Sequence, residues 1–206
     1  MPEAAPRTQS NSLDRLREAA RSLFVRNGYH YTRPQDIVRE AGVANGTFYL
    51  HFKDKREAFL DFAEQAQNEL LALYLERLAG VSDRRQRWRI IFNTVIDFSI
   101  QHPGLLHAAF FDPLFIAPDD PEAWRLYDRL GQLIRLAVGD EAAAERLGQQ
   151  YDLELISHAL TGMFRNALIF GARKGIDRDK LIDELSTFID RALELESDRP
   201  DEIHED

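Results

Sequence analysis

The sequence contains no cysteine. Disulfide bonds, thiolate metal sites and a cysteine nucleophile are therefore excluded, which fits a reducing compartment. No uninterrupted run of about 18 apolar residues is present, so no transmembrane helix is expected. The polar segment 1–11 lacks the apolar stretch that a secretory signal peptide needs. These absences predict a soluble, cytoplasmic protein.

Catalytic motifs are missing as well. No nucleophile with a base and an orienting group, no carboxylate pair and no phosphate-binding glycine loop stands at a recognisable spacing. His102 and His107 are separated by a segment that contains Pro103 and Gly104, which does not put both imidazoles on one helix face. We therefore expect no enzyme activity, no cofactor and no metal site.

Charge is distributed unevenly along a chain whose net charge is −9. Segment 1–56 carries ten Lys or Arg against six Asp or Glu, a net charge of +4, whereas 57–206 carries sixteen against twenty-nine, a net charge of −13. A basic end on an acidic body fits contact with the phosphates of nucleic acid. On charge alone, a solvated helical surface remains the more common explanation.

Apolar residues recur at helical spacing and no alternating strand pattern of useful length occurs, which predicts an all-α protein of about nine helices. A first amphipathic helix ends at Gly28. The segment from Thr32 to Gln35 has the form of a capping box with Pro34 in the first turn, so a second helix is predicted over 33–41. Gly42 then ends this helix in the left-handed conformation of a tight turn.

A third helix follows the turn, with Asn45 as its predicted cap. Phe48 and Phe52 lie one helical turn apart and are expected to point inward together. The outer face then carries hydrogen-bonding side chains, namely Thr47, Tyr49, His51 and, just beyond, Lys55. Two short helices joined by a glycine turn are typical of units that lay a recognition helix in the DNA major groove. A solvated helix face is the alternative, and the pattern alone does not choose between them.

The segment 13–60 contains Gly28-Tyr29, Thr32, Asp36-Ile37, Ala41-Gly42-Val43, Gly46-Thr47-Phe48-Tyr49, His51-Phe52 and Lys55. In these residues it resembles the N-terminal domain of TetR-family transcriptional regulators. The resemblance implies a homodimer that binds a double-stranded DNA operator, usually as a repressor. It implies contacts to backbone or bases by Thr47 and Tyr49, to phosphates by His51 and Lys55, and to the flanking backbone by Arg33 and Gln35. Asn45 is a further candidate for reading bases.

Three regions are predicted from this division of the chain. They are a helix-turn-helix DNA-binding domain with an N-terminal tail over 1–56, a helical ligand-binding and dimerisation domain over 57–196, and a charged tail over 197–206. The alternative is a helical small-molecule carrier without DNA binding, because the body alone fits that description. The outward polar residues of the third helix argue against it.

The last two long helices carry a pattern that predicts a dimer interface. The first has small residues that allow close helix approach, namely Ala159, Gly162, Ala167 and Gly171. The second has apolar residues that step by four, three and four, namely Leu181, Leu185, Phe188 and Ala192. Two such helices per subunit form a four-helix interface. Packing within one chain is the alternative.

The body is rich in aromatic residues and histidines, which predicts a cavity for a small, mainly apolar effector. The residues in question are Phe98, His102, His107, Phe110, Phe111, Phe115, Trp124, Tyr127 and Phe164. A filled core is the alternative for any one of them. The effector is expected to release the protein from its operator.

Overall fold

The computed structural model describes residues 7–110 and 119–194, which form helices and no strand, so the predicted all-α class is confirmed. The helices are α1 Arg7–Tyr31, α2 Pro34–Ala41, α3 Thr47–His51, α4 Lys55–Leu78, α5 Arg84–Gln101, α6 Leu105–Phe110, α7 Pro121–Asp128, α8 Leu133–Val138, α9 Glu141–Gln150, α10 Leu153–Lys174 and α11 Arg178–Glu194. A 3-10 helix over Arg129–Gln132 separates α7 from α8. None of the described helices has the length and apolarity needed to cross a bilayer.

Packing groups the described residues into two compact units. The first unit comprises those within 1–72 and 98–127, and the second comprises those within 73–97 and 128–206. The first unit extends past residue 56 because α4 packs against α1. The ring of Phe24 lies 5.1 Å from that of Phe59 and 5.6 Å from that of Phe62, centroid to centroid. The domain boundaries at residues 56 and 196 stay predictions, and the tail 197–206 lies outside the described residues.

Thr32 joins α1 to α2 in the first unit, but not as the helix cap that the sequence predicts. Arg33 occupies the N-cap position of α2, with φ −116° and ψ 151°. The Thr32 side chain is fully buried, and its hydroxyl donates backwards to the carbonyl oxygens of Gly28 at 2.8 Å and Leu23 at 3.3 Å. The prediction of a capping box is therefore wrong. Thr32 instead closes α1 where Gly28 leaves the helical conformation, with φ 76° and ψ 169°.

Pro121–Asp128 and Leu133–Val138 form two separate helices, α7 and α8, because a 3-10 helix lies between them. Gly131 of this 3-10 helix is buried. It lies so near α10 that a Cβ atom added to it would be 2.7 Å from Cγ of Glu154. The tighter helix therefore brings its backbone against α10, a contact that the spacing of apolar residues does not reveal.

Arg87 of α5 binds the ends of two helices in the second unit. Its guanidinium donates to the carbonyl oxygens of Leu78 at 3.2 Å and Val81 at 2.6 Å, which lie at and just beyond the end of α4. It also donates to those of Leu136 at 2.7 Å and Ala137 at 3.1 Å, in the last turn of α8. The last carbonyl groups of a helix have no partner within it, so a single side chain satisfies those of two helices.

Replacing Gly139 by alanine tests this arrangement, with Gly175→Ala as the matched control. Both glycines have positive φ, 70° and 64°, so each alanine strains the backbone by about 1–2 kcal/mol. Only at Gly139 would the new Cβ lie 2.4 Å from Cζ of Arg87 and displace the guanidinium from its carbonyl groups. We expect urea denaturation to show that Gly139→Ala lowers the free energy of unfolding by about 1.5–3 kcal/mol more than Gly175→Ala does. Equal losses would contradict the role of Arg87.

Candidate nucleic-acid interface

A glycine turn joins α2 to α3, as the sequence predicts. Gly42 ends α2 in the left-handed conformation, with φ 62° and ψ 39°, and its N–H donates to the carbonyl oxygen of Arg39 at 3.2 Å. The N–H of Val43 donates to the carbonyl oxygen of Val38 at 3.2 Å. Arg15 of α1 donates to the Gly42 carbonyl oxygen at 2.9 Å, and this bond links the turn to α1. The three N-terminal helices therefore contain a helix-turn-helix.

Helix α3 has two different faces. It has five residues, too few for an isolated helix to be stable, so its conformation depends on packing. Phe48 is fully buried and Phe52 is 4% exposed, with ring centroids 5.5 Å apart. Tyr49 and Leu50 are 60% and 73% exposed, and Thr47 is half-buried. One face therefore completes the core while the other presents a phenol and an aliphatic side chain to solvent.

Asn45 is not the N-cap of α3, so that prediction is wrong. Gly46 occupies the N-cap position, and the N–H of Thr47 donates to the carbonyl oxygen of Ala44 at 2.9 Å. This bond closes a turn in which Asn45 is exposed, and α3 begins one residue later than a cap at Asn45 would allow. The contact of Asn45 with bases stays a prediction.

His51, at the end of α3, is tied to α1. Its Nε2 lies 2.8 Å from Oγ of Ser12, and the two atoms share a hydrogen bond. The bond leaves Nδ1 as the other polar atom of the imidazole. His51 therefore fixes the position of α3 within the domain, apart from any contact it makes with phosphate.

Lys55, at the start of α4, folds back onto Tyr29. Its Nζ donates to the Tyr29 carbonyl oxygen at 3.0 Å and lies 4.1 Å from the centre of the Tyr29 ring. Burial lowers the pKa of the Lys55 ammonium; burial and the charge of Asp54 raise the pKa of the Tyr29 phenol. An ammonium group has three N–H donors, so the bond to Tyr29 leaves two for another acceptor.

Most of the arginines described in α1 and α2 are paired with carboxylates. The pairs are Arg17 with Asp61, Arg21 with Glu69, Arg26 with Glu40 and Arg39 with Asp36. The exposed side chains of Arg33 and Lys53 have no ion-pair or hydrogen-bond partner among the described residues. They lie just before α2 and just after α3, and Gln35 is exposed in the first turn of α2. The family resemblance pointed to Arg33 and Gln35. It did not point to Lys53, whose only signal in the sequence is a positive charge next to Phe52.

The predicted dimer residues of α11 lie on its outer side. The inward face consists of Ile182, Ser186, Ile189 and Leu193, all buried. The predicted seam is offset from it by one residue: Phe188 is 60% exposed, Ala192 is exposed, and Leu181 and Leu185 are half-buried. The described residues of the chain therefore cover this row of α11 only in part and leave Phe188 and Ala192 exposed.

The small residues of α10 differ in what surrounds them. Gly171 is buried, and a Cβ atom added to it would lie 3.3 Å from Cδ2 of Leu181, so its small size serves packing within the chain. Ala159 is exposed, while Gly162 and Ala167 are half-buried. The sequence pattern did not single out three large apolar residues of α10 that are 64%, 59% and 55% exposed, namely Leu155, Ile169 and Phe170. Leu155 lies four residues before Ala159, and Ile169 and Phe170 lie seven and eight residues after Gly162; these helical spacings were the available signal.

The residues predicted to bind a ligand are divided between the two units. In the first unit Phe98 is buried, His102, Phe110 and Tyr127 are half-buried, and His107 and Trp124 are exposed. Phe164 belongs to the second unit, where its ring stacks on that of Phe92 at 4.2 Å. Phe111 and Phe115 lie outside the described residues.

Gln67 is a buried polar residue to which the sequence pattern did not point. It is 4% exposed, and its Nε2 donates to the carbonyl oxygen of Ala109 at 3.2 Å. Its Oε1 has no hydrogen-bond partner among the described residues, and an unpaired buried acceptor costs about 1–3 kcal/mol. The available signal was a polar residue at helical spacing from Phe59, Ala63 and Leu70 on the buried face of α4.

Residues 16–61, which contain the helix-turn-helix, match the family model for bacterial regulatory proteins of the tetR family. The chain is 26% identical over 159 residues to the HTH-type transcriptional regulator YdgC of Bacillus subtilis, covering 75% of this chain and 78% of that protein. It is 24% identical over 203 residues to the regulator YvdT of the same organism, covering 91% of this chain and 98% of that protein.

A solved structure has the same fold. The fatty acid degradation regulator FadR from Bacillus halodurans superposes with a TM-score of 0.65 at 18% identity, covering 91% of this chain and 96% of that one. The likeness to this structure shows the fold, a helix-turn-helix within an all-helical chain. With the match at residues 16–61 and the relatives, the helix-turn-helix segment is that of a TetR-type transcriptional regulator. The resemblance found in the sequence is confirmed.

Proposed function

We propose that the chain is a cytoplasmic, sequence-specific DNA-binding repressor, a homodimer that a small, mainly apolar ligand releases from its operator. The observation that carries DNA binding is the division of α3: Phe48 and Phe52 are buried while Tyr49 is 60% exposed. A helix presented in this way after a glycine turn fits the major groove. Residues 1–56 would bind DNA, and 57–196 would bind the ligand and form the dimer. The alternative function, a small-molecule carrier without DNA binding, does not account for the outward face of α3.

Two kinds of DNA contact are proposed. The hydroxyl groups of Tyr49 and Thr47, on the outward side of α3, suit base edges or sugar-phosphate oxygens. The cations suit phosphates, because Arg33 has no partner among the described residues and Lys55 keeps two N–H donors. Lys53 is proposed as a further phosphate contact because its side chain, like that of Arg33, has no partner among the described residues.

The proposed ligand site lies among the aromatic residues of the first unit. A mainly apolar lining with a few polar groups is the usual form of a small-molecule site, and Gln67 offers such a group in its Oε1 atom. A ligand weakens DNA binding only if it prefers a conformation in which the two recognition helices are wrongly spaced. The name of the similar FadR protein makes fatty acids the first compounds to test.

The proposed dimer interface consists of the outer sides of α10 and α11. Four large apolar residues there are at least 55% exposed, namely Leu155, Ile169, Phe170 and Phe188. An apolar surface of this kind marks an interaction site, and two helices from each copy form a four-helix interface. A symmetric dimer would carry two recognition helices, one for each operator half-site, and such half-sites lie about 34 Å apart.

DNA binding is tested with operator duplexes selected from a random library and with scrambled duplexes, by fluorescence anisotropy at several salt concentrations. Lys55→Met should weaken binding to both kinds of DNA and reduce the slope of log affinity against log salt by roughly one unit per half-site. It should also lower the free energy of unfolding by about 1 kcal/mol, because the contact with the Tyr29 ring is lost. The control Lys174→Met, in the second unit, should leave DNA binding, its salt slope and the free energy of unfolding unchanged.

In the same titrations, Tyr49→Ala and Thr47→Val should act on specificity. Each should reduce the discrimination between operator and scrambled DNA by about 1–3 kcal/mol and leave the salt slope nearly unchanged. If Tyr49→Ala and Lys55→Met both bind operator like the wild type while folded, the proposed DNA-reading surface is wrong.

The dimer is tested by Phe188→Glu, which places a charge in the proposed apolar interface. Light scattering should show monomers, because an unpaired buried charge is strongly unfavourable. The matched control is Leu75→Glu, at a residue of α4 that is 57% exposed and lies outside the proposed interface, and it should stay dimeric. A Phe188→Glu variant with unchanged dimer mass would contradict the assignment.

The ligand is tested by measuring the melting temperature with decanoate, palmitate and a panel of other apolar metabolites. Compounds that raise it should weaken operator binding at least roughly tenfold, a typical coupling between two sites. Gln67→Leu should reduce the rise in melting temperature for ligands that have a hydrogen-bond donor, because the acceptor Oε1 is lost. Gln149→Leu, at an exposed residue of α9, should not reduce it. Induction loses its support if stabilising compounds leave operator affinity unchanged.

A further inference from the structure

Three side chains of metal-ligating type lie together in the second unit. Asp128 directly precedes the 3-10 helix, and Glu154 and His158 lie one turn apart on α10. One carboxylate oxygen of Asp128, one of Glu154 and one imidazole nitrogen of His158 all lie within 4.8 Å of one another. The expectation of no metal site rested on His102 and His107, and this group involves neither.

Close contacts of α10 with the 3-10 helix and with the start of α8 hold the two segments of this group together. Gly131 packs so closely against α10 that an added Cβ would lie 2.7 Å from Cγ of Glu154. The hydroxyl of Ser157, itself fully buried, accepts from the N–H of Ile134 at 3.2 Å and donates to the carbonyl oxygen of Leu153 at 2.7 Å. The spacing of the three side chains is therefore set by packed helices.

The composition and spacing of the group fit a divalent transition-metal ion. Carboxylate oxygens and an imidazole nitrogen are ligands of Zn²⁺ and Mn²⁺. Ligand bonds of about 2.1 Å put the donor atoms of a tetrahedral site about 3.4 Å apart. Rotation of the side chains is enough to bring the three ligand atoms from within 4.8 Å of one another to that distance.

We propose that Asp128, Glu154 and His158 bind one divalent metal ion per chain, with the remaining coordination positions open to water. The carboxylates are exposed and the imidazole is half-buried, so an ion can enter from solvent. The bound ion would link the 3-10 helix to α10. None of the three residues is among those proposed to bind DNA or the apolar ligand.

The experiment uses the full chain, freed of metal with a chelator and titrated with Zn²⁺ by calorimetry. We expect one ion per chain and a rise in melting temperature of roughly 5–10 °C at a hundredfold excess over Kd. Asp128→Asn, Glu154→Gln and His158→Gln should each weaken binding roughly tenfold or more. The matched controls His30→Gln and Glu145→Gln, at exposed residues of α1 and α9, should bind like the wild type. His204→Gln tests the acidic C-terminal sequence in the same way.

A measurement on the wild type needs no variant. Paramagnetic Mn²⁺ should broaden the imidazole NMR signals of His158 before those of the other histidines. The proposal is overturned if neither Zn²⁺ nor Mn²⁺ binds at millimolar concentration. It is also overturned if folded variants of all three residues keep wild-type affinity, if binding is lost only with His30→Gln or His204→Gln, or if the His158 signals do not respond first. In those cases the three side chains form a local ion-pair cluster.

Discussion

Burial of Phe48 and Phe52 is the constraint on which the rest of the proposed DNA-reading surface depends. A helix of five residues does not hold its own conformation in water, so α3 exists because these two rings complete the core of the first unit. Their burial turns Tyr49 outward. The Ser12–His51 bond and the Lys55–Tyr29 contact then hold the end of α3 and the start of α4 against α1. The outward face is a consequence of inward packing.

Arginine has a mainly structural role in both units. In the first, the carboxylates of Asp61 and Glu40 neutralise arginines that the sequence presents as part of a basic end. In the second, the arginine-rich start of α5 binds carboxylates of α11 and, through Arg87, carbonyl groups of α4 and α8. Charge counted along the chain therefore overstates the positive charge available to DNA. Among the described residues up to the start of α4, the side chains of Arg33 and Lys53 have no partner, and Lys55 keeps two N–H donors.

In the second unit, an offset of one residue decides what α11 presents to solvent. The row that contains Ile182 and Ile189 packs inward, so the neighbouring row that contains Phe188 stays outside. Both rows have helical spacing, and only the helices packed against α11 select between them. The same unit brings Asp128 next to His158 through the close approach of the 3-10 helix to α10. Such a contact between distant residues is invisible to any local pattern.

The sequence by itself determined the helical class, the glycine turn at Gly42, the inward pair Phe48 and Phe52, and the family, because each depends on local spacing. Tertiary structure decided the rest. The Thr32 hydroxyl turned backwards to Gly28 and Leu23 because burial there offered carbonyl acceptors, which overrode its capping preference. Packing also chose which face of α11 is exposed. These outcomes depend on residues distant in sequence, whose proximity exists only once the helices have packed.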